Sequence, residues 1–166
     1  MPITPLMIAD IEQLIGSCVT DVFGTMLSMD VHPASPSDPA DPPSEAHVAS
    51  AVGFSGVITG VVYIYTSSSF ARRCAGSMLG LTDAEIDGDE MVNDVMGEIA
   101  NMVVGNLKSG LCDRGLTCVL TIPSIVRGRF SIEPISSSER KVFHFTCESR
   151  PLLVEVMIKH SSERAA

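Results

Sequence analysis

The chain has 166 residues, 45% of them hydrophobic and 19% charged, and carries a formal net charge of −9. That length and composition fit one globular domain with its own core, and they exclude a disordered chain. A surface this acidic repels phosphate backbones and anionic headgroups, which argues against nucleic acid and membranes as partners.

The N-terminal stretch MPITPLMIADIEQ has no basic region and no sustained apolar run, so no signal peptide is expected. No apolar stretch reaches membrane-spanning length. Cys18, Cys74, Cys112, Cys118 and Cys147 are odd in number, widely spaced and without a Cys-x-x-Cys pair. They predict small core residues in a reducing compartment, hence a cytoplasmic protein.

From Pro5 to Met29, apolar residues at Met7, Ile8, Ile11, Leu14, Ile15, Cys18, Val19, Val22, Phe23 and Met26 keep the spacing of a helix with one core face. Residues 31–46, VHPASPSDPADPPSEA, hold five prolines between Pro33 and Pro43, which predicts a flexible connector. Two β-rich runs then flank Gly53-Phe54-Ser55-Gly56, a hairpin signal. Ser67 to Leu81 reads as a helix, with Arg72 and Arg73 on a solvated face, and LTDAEIDGDE as an acidic connection. A long helix follows from about Asp89 to about Leu111. The rest reads as strands: Leu116–Ile122, Ile125–Ile132, Val142–Cys147 after a turn at EPISSSER, and a last one opened by Pro151. The expected fold class is α+β, a largely antiparallel sheet packed by long amphipathic helices. One domain is expected over residues 1–166, with residues 160–166 as a tail.

The long helix raises a question. At about 100° per residue, Val92, Val95, Met96, Ile99, Val103 and Leu107 gather on a core face. Asp94, Glu98, Asn101, Gly105 and Lys108 fall in a narrow stripe nearly opposite, so Glu98 and Asn101 are neighbours on an exposed face. Asparagine is a poor helix former, because its amide competes for backbone hydrogen bonds. Gly97, Ala100 and Gly105 flank the pair, and small residues there would let a partner's backbone come close. A solvated helix face is the plain alternative, but two glycines costing about 1 kcal/mol each in a helix weigh against it.

The acids from Asp83 to Asp94 have some likeness to a calcium loop, through Asp83, Glu85, Asp87, Gly88 and Asp94. Glu90 stands where such loops carry an aliphatic residue, and the last ligand is a short Asp rather than a bidentate Glu. An acid-rich helix start is the expectation, and no metal site is predicted. His32, His47, His144 and His160 are scattered and form no metal motif.

The segment DVMGEIANMVVGNLKSGL resembles the active helix of the CheC/CheX family of chemotaxis phosphatases. Its signature is an Asp or Ser, then Glu four residues on, Asn three further, and a Pro some twenty residues later. Asp94, Glu98, Asn101 and Pro123 meet it. VTDVFGTMLSMDV, GFSGVITGVVYIYTSSSFARRCAGSMLGL and TIPSIVRG are similar to the CheX branch in the same order. CheC-type members carry two such helices. Here Glu12 is followed three residues later by Ile15, so one site per chain is expected, as in CheX.

The resemblance implies a CheC-like fold, a homodimer, and hydrolysis of the phospho-aspartate on a CheY-like response-regulator receiver domain. It implies that Asn101 orients the attacking water and that Glu98 pairs with the receiver's lysine. Asp94 and Pro123 are supporting residues, and Gly97, Gly105 and Lys108 are assigned to partner docking. No cofactor is expected on this chain, since the Mg²⁺ belongs to the receiver. The alternative is a receiver-binding or flagellar-switch adaptor of the same fold without turnover.

Overall fold

The computed structural model describes residues 5–35, 47–129 and 138–159, with side chains from residue 8 onward. The stripe of apolar residues near the N-terminus forms helix α1, Pro5–Met26, which buries Ile11, Ile15, Cys18, Val19, Val22 and Phe23. Leu27 and Met29 continue the buried set past the helix end, and Met26 is exposed. Strand β1, Val31–Pro33, lies within the stretch expected as a connector and pairs antiparallel with residues 145–147. The remainder of the proline-rich segment, 36–46, lies outside the described residues, as do the tail 160–166 and residues 130–137, which include most of the EPISSSER turn.

Strands β2, His47–Gly56, and β3, Gly60–Ser67, make the expected hairpin, but its turn sits at residues 57–59 rather than at Gly53–Gly56. The strand runs through both glycines because its neighbour comes close. A Cβ on Gly56 would lie 2.3 Å from the Thr117 carbonyl oxygen, so only glycine fits. Helix α2, Ser68–Leu79, starts where the Ser67 hydroxyl accepts a hydrogen bond from the Phe70 N–H and ends at Gly80 in the left-handed region, φ 67°. A single 3-10 turn, Asp83–Glu85, leads into helix α3, Gly88–Asp113. Strands β4, Cys118–Leu120, and β5, Ser124–Gly128, are shorter than their sequence patterns predict. Strands β6, Ser138–Cys147, and β7, Arg150–Lys159, form the last hairpin. Ser138–Arg140, expected in the turn, belong to β6.

The sheet order is β1-β6-β7-β3-β2-β4, with β5 also on β2, and every described pairing is antiparallel. One face presents Val52, Phe54, Val62, Ile64, Val154, Val156 and Phe145, which join the buried faces of all three helices in one core. The α+β class and antiparallel sheet follow the sequence reading. The other face carries Tyr63, Tyr65 and Glu155. Glu155 is fully buried there and pairs with Arg140.

Candidate functional site

The site is built on α3, so what holds α3 comes first. Its inward side buries Val92, Val95, Met96, Ile99, Val103 and Leu107, as the helical spacing predicts. Leu111 and Val104 complete that face. The first turns are clamped to β5 by Arg127. Its guanidinium donates to the Asn93 side-chain oxygen and to the Asp89 carbonyl at 3.3 Å, and lies 3.4 Å from the Asp89 carboxylate. At the far end Arg114 meets Asp10 of α1 at 3.2 Å. A helix fixed at both ends and along one side presents its remaining face in a set geometry.

That face carries the expected stripe. Asp94 and Glu98 are exposed, and Asn101, Gly105 and Lys108 are half-buried at its margin. Among the described residues no hydrogen bond or ion pair reaches the Glu98 carboxylate or the Asn101 amide. Both polar groups are therefore available to a partner. Gly105 opens the surface beside them, since a Cβ there would meet nothing within 4 Å.

Gly97, expected with Gly105 on the surface a partner approaches, is buried. A Cβ on Gly97 would lie 3.6 Å from Pro123 Cβ and 3.8 Å from Ile125 Cδ1. Gly97 sits where the stripe borders the apolar face, and the segment ahead of β5 covers it. Ala100 is buried as well. Pro123 thus packs against α3 at Gly97, one residue before Glu98.

The acids ahead of the helix are engaged locally. The Asp83 carboxylate accepts from Arg72 at 2.7 Å, and the same guanidinium donates to the carbonyls of Asp83 and Ile86. The Glu85 carboxylate accepts from the Thr82 N–H at 3.0 Å in a capping box. Arg73 pairs with Glu148 at 3.0 Å. The two arginines that read as a solvated face therefore tie α2 to the loop before α3 and to the β6–β7 turn. Among the described residues no three His, Cys, Asp or Glu side chains come together as a metal site, and no helix is long and apolar enough to cross a membrane.

Sequence reasoning missed two features beside the stripe. One is Arg127, whose place on β5 opposite Asn93 depends on a strand pairing the sequence does not show. The other is a groove of about 300 Å³ between α2 and α3, lined by Met78, Leu79, Met91, Asp94, Val95 and Glu98. No local pattern in the sequence marks the groove, which forms where the end of α2 meets the first turns of α3.

Among solved structures, a CheC-like superfamily protein from Shewanella sp. PV-4 superposes with a TM-score of 0.77 at 25% identity, over 90% of this chain and 97% of that one. The chemotaxis protein CheX from Vibrio vulnificus gives 0.76 at 22% identity, over 90% and 96%. The CheX–CheY–BeF3–Mg²⁺ complex from Borrelia burgdorferi gives 0.65 at 18% identity, over 90% and 98%. At these identities the last two likenesses speak to the fold. No curated protein matches the chain in sequence. Residues 48–146, which hold the β2–β3 hairpin but for His47, α2, the whole of α3 and Pro123, match the family described as "Chemotaxis phosphatase CheX". The chain belongs to the CheX family of chemotaxis phosphatases.

Proposed function

We propose that this protein hydrolyses the phospho-aspartate of a CheY-like receiver domain, with Asn101 orienting the attacking water and Glu98 pairing with a lysine of the receiver. The observation that carries the reading is the state of these two side chains. They stand three residues apart on the accessible face of a helix anchored by Arg127 and Arg114, and no described residue of the chain bonds to either. The solved complex of a Borrelia CheX with CheY, BeF3 and Mg²⁺ supports a receiver as the partner class.

The chemistry suits these groups. Water attacks the phosphorus of the receiver's acyl phosphate in line, the P–O bond to the aspartate breaks to leave its carboxylate, and water's proton leaves with the inorganic phosphate; the receiver's own Mg²⁺ and lysine would supply the charge that neutralises the phosphoryl oxygens. The nucleophile needs a position more than it needs a base. A carboxamide is too weakly basic to take water's proton, but it accepts and donates hydrogen bonds that fix the water in line, as a glutamine does in GTPases. Glu98 contributes a charge-assisted contact that sets the docking angle. Asp94, one turn earlier, adds negative charge on the same face. Gly105 and Lys108 border the contact, and Pro123 holds the helix from behind. The Mg²⁺ of the reaction is carried by the receiver. The reading includes a homodimer, which light scattering would report as the mass of two 17.6 kDa chains.

The test is phosphate release from a panel of the host's phosphorylated receivers, with and without the protein. At least one receiver is expected to lose phosphate faster with catalytic amounts of protein. Stoichiometric binding with no acceleration across the panel would instead make the protein an adaptor of the same fold.

A further inference from the structure

The groove beside the stripe is a candidate for more than an accident of packing. Met78 and Leu79, at the end of α2, face Met91 and Val95, on the first turns of α3. Leu79 is 46% exposed, in a position where the Gly80 cap turns the chain away and leaves its side chain uncovered. Two of the apolar residues are methionines, whose unbranched, polarisable side chains adapt to an incoming shape. The rim is different in kind. Asp94 and Glu98 close one side, both exposed, and among the described residues neither has a cationic partner. An apolar floor with an unneutralised acidic rim is complementary to an apolar side chain next to a lysine or arginine.

We propose that this groove is a second docking seat for the receiver, taking an apolar side chain that neighbours a cation on the receiver's surface. The proposal rests on the phosphatase reading for the identity of the partner, because the groove shares Glu98 with the proposed catalytic stripe. It goes beyond that reading by assigning specificity to Met78, Leu79 and Met91. The stripe supplies the chemistry, and the groove selects which receiver is held long enough for it. Charge complementarity sets the direction of every substitution. A cation at Leu79 faces the partner's cation and must harm docking more than an anion does.

Leu79→Lys and Leu79→Glu, both at an exposed position, are measured against wild type in two ways. Steady-state dephosphorylation should show KM raised about tenfold or more for Leu79→Lys and less for Leu79→Glu, with kcat within about twofold for both. Fluorescence-anisotropy titration with BeF3-activated receivers of the host reads the seat without turnover. Wild type should bind at least one receiver, and Leu79→Lys should bind it at least tenfold more weakly. Binding that depends on Leu79 without phosphate release would remove the phosphatase reading and leave the groove assignment standing. Unchanged affinity in both variants, a fall in kcat with KM unmoved, or no receiver bound by wild type would overturn the assignment.

Discussion

Two glycines on α3 separate what the helix wants from what a partner wants. Gly105 lies on the stripe, and an added Cβ would meet nothing within 4 Å. Gly110 lies five residues on, and its Cβ would come 2.7 Å from Leu14 Cδ2 of α1. Replacing either with alanine recovers about 1 kcal/mol of helix propensity. For Gly105→Ala nothing opposes that gain, so Tm should rise by roughly 2–4 °C for a domain of this size. For Gly110→Ala the half-buried Leu14 must swing aside in the α1–α3 seam, which offsets part of the gain, so Tm should rise less than in Gly105→Ala. Thermal unfolding followed by circular dichroism compares the two. The same pair tests docking. Gly105→Leu should leave the fold intact and raise KM for a phosphorylated receiver several-fold, because its side chain fills the space beside Asn101 that a partner needs. Equal stabilisation by Gly105→Ala and Gly110→Ala would refute the packing argument. Unchanged turnover in Gly105→Leu would place the partner elsewhere.

Three further expectations concern the rest of the molecule. Glu98→Ala should weaken receiver affinity more than it lowers kcat, since it removes a charge and leaves the amide; equal affinity by titration would contradict this. Arg140→Leu leaves the fully buried Glu155 carboxylate without its cation. It should cost about 3 kcal/mol in urea unfolding, the low end for breaking a buried pair because Arg140 is itself 39% exposed, and Arg140→Leu with Glu155→Leu should recover most of it. Burial pushes the Cys18 thiol up to about 11, with Asp21 adding to it, and the Cys74 thiol up to about 12. Unfolded thiols ionise from about 8.5, so above that pH the native state binds more protons than the unfolded state and stability falls as pH rises towards the folded values. Cys74→Ala should flatten the alkaline limb of a stability–pH curve, and an unchanged limb would argue against a buried, protonated thiol.

The helices were legible in the sequence because their core faces repeat along one chain. All six α3 residues that the spacing placed inside are buried, and of the α1 set Ile11, Ile15, Cys18, Val19, Val22 and Phe23 are, whereas Ile8 and Leu14 are half-buried and Met26, in the last turn, is exposed. Strand β1 was not legible. It is three residues long, ends at Pro33, and pairs with Phe145–Cys147 more than a hundred residues away. The hairpin was seen and its turn misplaced, because Gly56 marks the close approach of Thr117 rather than a bend in its own chain. The same limit applies at the site. Helical geometry alone puts Glu98 and Asn101 side by side and outward. It cannot say which border of the stripe a strand will cover, so Gly97 was read as surface where Pro123 and Ile125 bury it. Arg127 and the methionine groove are products of tertiary contact between elements far apart in sequence, and no local pattern announces them.

On the proposed reading, α3 tolerates Asn101 because a partner's reaction needs its amide. This is tested most directly by single-turnover phosphate release from a phosphorylated receiver, at saturating protein, with wild type and Asn101→Ala. Alanine is the better helix former by about 0.5 kcal/mol, and Asn101 makes no described hydrogen bond, so the variant should fold at least as stably as wild type. At saturation any difference in affinity is removed, and what remains is positioning of the water. The rate should fall by roughly 10²-fold or more. A folded Asn101→Ala protein that releases phosphate at the wild-type rate would contradict it.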